Sequence, residues 1–138
     1  MPEVSTEQDT PHLRRALELA EGGRGRVSPN PMVGAVLVRD EQVIGEGFHA
    51  VRGELHAERA AIEDARARGQ DPVGSTIYVT LEPCEMCLGA MFHARVARVV
   101  YGATDPKKKV LKPQHTIEGG VLAEECGALL SGFFAARR

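Results

Sequence analysis

The chain has 138 residues, 43% of them hydrophobic and 26% charged, a size and composition that fit one packed domain and exclude disorder or fibrous repeats as its main character. Seventeen Lys and Arg against nineteen Asp and Glu leave a net charge of −2, so bulk charge gives no case for a nucleic-acid or anionic-membrane partner, although a local basic patch is allowed. No apolar run approaches the roughly 20 residues of a membrane-spanning helix, and the opening MPEVS lacks the basic and apolar blocks of a signal peptide, which makes the cytoplasm the expected location.

Residues 1–9 are polar and aperiodic and read as a loose tail ahead of Thr10-Pro11, an N-cap followed by a proline in the first turn. Leu13, Ala16, Leu17 and Ala20 then recur at helical spacing until Gly22-Gly23 ends the pattern. The next stretch, GRGRVSPNP, is turn-forming and leaves backbone groups available to a ligand. VGAVLV and VIGEGFH, joined by the polar RDEQ, predict an antiparallel hairpin whose first strand is buried on both faces. A helix rich in Ala, Glu and Arg follows from Leu55 to about Arg68, closed by Gly69. TIYVTLE predicts a strand, Pro83 opens a helix to about Ala94, and VARVVYG predicts another strand. Val121, Leu122, Cys126, Leu129, Leu130 and Phe133 mark a last amphipathic helix. Alternating strands and helices predict one domain over residues 10–138, a three-layer α/β/α fold around a central mixed sheet of about five strands.

Three cysteines are too few for a disulfide framework, and in a reducing compartment the close pair Cys84 and Cys87 points to metal or redox chemistry. His56 with Cys84 and Cys87 makes a donor set suited to zinc, and three protein ligands leave the fourth tetrahedral position for water. Each ligand group begins a predicted helix, where the positive helix end favours thiolate. Glu58 lies two residues after His56, so on a regular helix it could not share that face. It reaches instead past the metal toward the water, where it can act as general base and acid. Alone, C-x-x-C also fits a thioredoxin-type dithiol, and H-x-E is weaker still. Together and in this order, with Pro83 before Cys84, they match the zinc-deaminase pattern H-x-E…P-C-x-x-C. A closed structural zinc site would need a fourth ligand. Cys126 reads as a core thiol, and His93 falls more than a turn beyond Cys87.

These residues resemble the cytidine and deoxycytidylate deaminase superfamily from about Leu13 to Phe134. The first half, with SPNPMVGAVLV, GEGFH and HAE, resembles the deaminase domain of riboflavin biosynthesis, which acts on a diaminopyrimidine. The second half, with LEPCEMCLGAMFHARVARVVYGATDPK, resembles tRNA adenosine deaminases and their guanine and cytosine deaminase relatives. Either branch implies a cytidine-deaminase-like fold, zinc held by His56, Cys84 and Cys87, and Glu58 as proton shuttle. The riboflavin branch normally has a longer insertion between its zinc cysteines, absent here. The tRNA branch normally has an asparagine at the position of His49. Asn30 and His49 match pyrimidine-contacting positions of the riboflavin branch, and Ala57 and Pro83 complete the expected substrate contacts.

The expected activity is hydrolytic removal of an exocyclic amine from a small aminopyrimidine or purine, with the riboflavin precursor first. The alternatives are tRNA adenosine, a free base or nucleoside and, in another class, a zinc-stabilised binding module without turnover. Lys107, Lys108, Lys109 and Lys112 form the one dense basic run, suited to a substrate phosphate, an RNA backbone or simply solvent. Resemblance also implies a homodimer or homotetramer, with Met91 and Phe92 as candidate contacts.

Overall fold

The VGAVLV and VIGEGFH runs are rich in β-branched and apolar residues, which pack well on a pleated surface, and they form the predicted hairpin. In this computed structural model, residues 6–23, 32–49, 56–81, 83, 85–103 and 116–118 are described. β1 (Gly34–Arg39) and β2 (Gln42–Phe48) pair antiparallel across a two-residue turn at Asp40 and Glu41, whose φ angles are 52° and 65°. Arg39 faces Gln42 and Val38 faces Val43, but Leu37 faces Gly45, so Ile44 is an extra residue, a bulge, on β2. β3 (Thr76–Leu81) lies on the other side of β1, antiparallel to it, and β4 (Arg98–Ala103) and β5 (Thr116–Glu118) continue parallel. The strand order is β2-β1-β3-β4-β5. Four of these strands fall on the predicted runs. The three-residue β5 is too short to show an alternating pattern, and no strand was expected there.

Alternation divides the strand residues between two cores. Ala35, Leu37, Ile77, Val79 and Val99 face one side, where they pack with α2 (Ala57–Ala67) and α3 (Glu85–His93). Val36, Val38, Tyr78 and Val100 face the other, where Leu13 and Ala16 of α1 (Thr6–Ala20) cover them. The three layers are those expected. A Cβ at Gly34 would run into the backbone carbonyl of Ala16, so a glycine there lets α1 lie directly on β1.

α1 begins at Thr6 rather than Thr10, with Pro11 inside it, so residues 6–9 belong to the helix and not to a tail. Proline removes one amide donor from the second turn. Asp9 supplies the offsetting interactions: 1% exposed, it accepts from the Tyr78 hydroxyl at 2.7 Å and from Arg98 at 3.0 and 2.8 Å, tying α1 to β3 and β4. Burial, and then the bond to Asp9, push the Tyr78 hydroxyl well above the ordinary tyrosine range.

β2 is an edge strand, and its neighbours cover it. The Glu46 amide donates to Asp64 of α2 at 2.9 Å. Arg15 of α1 grips the Glu46 carboxylate at 2.7 and 3.1 Å, which holds that carboxyl below its usual range against the opposing effect of burial. Among the described residues, no helix is long and apolar enough to cross a membrane. The predicted last helix over 121–134, the loop 24–31 and the lysine run lie outside the described residues.

Candidate active site

Two helix N-termini meet beside the end of β2. His56 is the N-cap of α2, with φ −66° and ψ 159°, and its side chain makes no cap hydrogen bond. The extended backbone places His56 outside the helix proper, which removes the difficulty raised by an imagined regular helix: its ring and the Glu58 carboxylate can turn to the same point. Leu81 ends β3, Pro83 is buried, and α3 begins at Glu85. Cys87, in the first turn of α3, is fully buried. Its Sγ lies 3.4 Å from Nδ1 of His56.

The ligand atoms of His56, Glu58 and Cys87 all fall within 4.8 Å of one another. Zinc–nitrogen and zinc–sulfur bonds of about 2.05 and 2.3 Å at a tetrahedral angle put the two donors about 3.6 Å apart. The observed 3.4 Å between Nδ1 and Sγ is close to that separation, so the described donors fit a zinc ion. Glu58 is 4% exposed although it carries a carboxylate, a burial that polar or ionic partners normally justify. The free N–H groups of the first turns of α2 and α3 also favour negative charge here.

His49 follows β2 and is 4% exposed. Its amide donates to the Val33 carbonyl at 3.0 Å, and its ring stands edge-on to that of His56, centroids 5.6 Å apart at 88°. The structure therefore brings together His49, His56, Glu58 and Cys87 from β2, α2 and α3. Ala57 buries its side chain in the core, which leaves only its backbone to meet a ligand. Cys84 and Asn30 lie outside the described residues. His93 ends α3, exposed and beside Phe92. Met91 is not a surface residue but fully buried in the core, whereas Phe92 is 46% exposed.

Two contributors to this geometry escaped the sequence reading. Thr80 Oγ1 accepts from the Gly34 amide at 3.2 Å and so fastens the start of β1 to the end of β3. Gly45 and Gly47 leave β2 bare beneath α2. The GEG pattern was the available signal, since a glycine inside a strand often marks a close backbone approach.

Residues 6–103 match the family model of the cytidine and deoxycytidylate deaminase zinc-binding region. A riboflavin biosynthesis protein of Zea mays chloroplasts is 47% identical over 104 residues, 71% of this chain and 26% of that protein. A tRNA-specific adenosine deaminase of Haemophilus influenzae is 42% identical over 154 aligned positions, 98% of this chain and 88% of that protein. Among solved structures, a Thermotoga maritima diaminohydroxyphosphoribosylaminopyrimidine deaminase/5-amino-6-(5-phosphoribosylamino)uracil reductase superposes with a TM-score of 0.85 at 38% identity, covering 96% of this chain and 42% of that one. The chain thus spans about a quarter of the curated riboflavin relative.

Proposed function

Because the chain belongs to the cytidine and deoxycytidylate deaminase family, we propose that it is a zinc-dependent hydrolytic deaminase. The observation that carries the reading is the buried Glu58 carboxylate beside an imidazole and a thiol at zinc-ligand separation. His56, Cys84 and Cys87 would hold the ion. When bound, zinc supplies a Lewis acid that acidifies a water molecule. Glu58 takes a proton from that water as its oxygen bonds to the ring carbon bearing the exocyclic amine. It then returns a proton to the departing nitrogen, so the carbon–nitrogen bond breaks and ammonia leaves. Burial leaves the Glu58 carboxylate poorly hydrated, which strengthens its interactions with charge beside it.

The substrate is a small aminopyrimidine or purine, with a riboflavin-precursor diaminopyrimidine first. His49 supports this order, being buried against His56 where its ring nitrogens can read a polar ring edge. Asn30, Ala57 and Pro83 are the other substrate contacts of this proposal. A second reading, tRNA adenosine, is supported by the Haemophilus relative, which matches this chain nearly end to end. An RNA substrate needs a basic channel and confers steep salt dependence. The test is ammonia release from a panel of aminopyrimidines and purines, run beside an anticodon stem-loop RNA. Turnover of a small substrate is expected, and inosine in the RNA with no small-molecule activity would reverse the order. Self-association of the chain belongs to the same proposal, and a strictly monomeric mass at micromolar concentration would reject it.

A further inference from the structure

β2 presents three successive inward positions to the site side of the sheet, Gly45, Gly47 and His49, and the first two have no side chain. A Cβ built on Gly47 would lie 2.5 Å from the Ala61 nitrogen, 2.6 Å from the Ala57 oxygen and 2.8 Å from the Ala60 Cβ. Real Cβ atoms do not approach backbone so closely, and helix backbone cannot rotate aside as a side chain can. Ala57 and Ala61 are the acceptor and donor positions of an i to i+4 pair, so Gly47 rests against the backbone one residue beyond the Ala60 N–H to His56 carbonyl bond that closes the first turn of α2. That turn carries Glu58 and follows directly from His56. A Cβ on Gly45 would meet the Ala61 carbonyl instead, and Ala65 Cβ and nitrogen at 2.9 Å, which is one turn further from the site.

We infer that Gly47 is a positioning residue: its bare backbone sets the depth at which the first turn of α2 seats, and so the distance of His56 and Glu58 from Cys87 on α3. The separation at stake is the 3.4 Å between Nδ1 and Sγ. Any side chain at residue 47 lifts that turn off the strand while Cys87, held by α3, stays in place. Gly45 shares the packing requirement but acts on a part of α2 that carries no site residue. The two glycines should therefore differ in their effect on metal binding and agree in their effect on packing.

This inference rests on the zinc reading above, and the experiment separates the two. Zinc affinity is measured by chelator competition for the wild-type chain, Gly47→Ala and Gly45→Ala, with steady-state kinetics on whichever substrate the panel identifies. Gly47→Ala is expected to weaken zinc at least tenfold and to lower kcat at least tenfold with KM within threefold. Gly45→Ala is expected to lose comparable thermal stability with zinc affinity within threefold of wild type. Should Gly47→Ala fail to fold, the pair Gly47→Ala/Ala60→Gly, which removes the Cβ contact, takes its place. Equal zinc affinity in both glycine variants, or a pair with the zinc affinity of wild type, overturns the positioning role, because the Ala57 and Ala61 backbone contacts remain in the pair; a pair that folds only when zinc is added supports it. A wild-type chain that binds zinc but turns over nothing sinks the deaminase reading alone, because the affinity comparison still stands. A wild-type chain that binds no zinc sinks both.

Discussion

Glu58 is the residue on which the proposed chemistry turns, since it is the described carboxylate within ligand distance of both His56 and Cys87. Glutamine has its shape without its basicity. Glu58→Gln is expected to keep the fold and bound zinc while cutting ammonia release by at least about 10²-fold, the usual contribution of a placed general acid and base. Metal content and turnover of the same sample check it. Asp9 is the contrasting case, a buried carboxylate with a structural task. Asp9→Ala leaves the Tyr78 hydroxyl and one side of Arg98 without their acceptor, and is expected to cost about 2–3 kcal/mol in urea unfolding with the site unchanged. The sequence announced Glu58 and concealed Asp9 for a physical reason. Zinc and proton transfer accept few residue types at narrow spacings, whereas an aspartate in TEQDT looks like any solvated polar residue until Tyr78 and Arg98 fold over it.

At the scale of elements, apolar runs and helix formers located the first four strands and the helices α2 and α3 to within a few residues. What misled was local punctuation. Thr10-Pro11 is a sound helix start by propensity, yet tertiary bonds to Asp9 extend α1 back to Thr6. The hairpin turn shows the reverse, a position where local preference is left unsatisfied. Asp40 and Glu41 both sit at positive φ, at 52° and 65°, in the two-residue loop that Asn-Gly favours. Replacing both residues with Asn-Gly is expected to stabilise the protein by about 1 kcal/mol, read as a rise in Tm with activity unchanged. A fall in Tm would mean that Glu41 matters more through its 3.9 Å approach to His12 than through its backbone.

For the whole molecule, alternation of strand and helix was enough to give three layers, but not the strand order β2-β1-β3-β4-β5. Order depends on which edges meet in space, and no local pattern encodes that. The site depends on the same long-range arrangement, for His49, His56 and Cys87 come from three different elements. An ion held by His56 and Cys87 would join α2 to α3, so its binding free energy would become folding free energy. Chelation is expected to lower Tm by several degrees and to restore it on adding zinc back. An unchanged Tm with the metal demonstrably removed would show that the site contributes nothing to holding the layers together.

The bulge at Ile44 carries a consequence for how this hairpin can vary in length. With it, Gly45 faces Leu37 and Gly47 faces Ala35; a strand paired without it would put Glu46 opposite Ala35 and turn His49 to the far side of the sheet. The extra residue thus sets the parity of everything between it and the site. Losing Val43 or Ile44 can be absorbed by flattening the bulge, and Gly45, Gly47 and His49 keep their side. Gaining one demands a second bulge or inverts His49, so the hairpin tolerates shortening where it cannot tolerate growth.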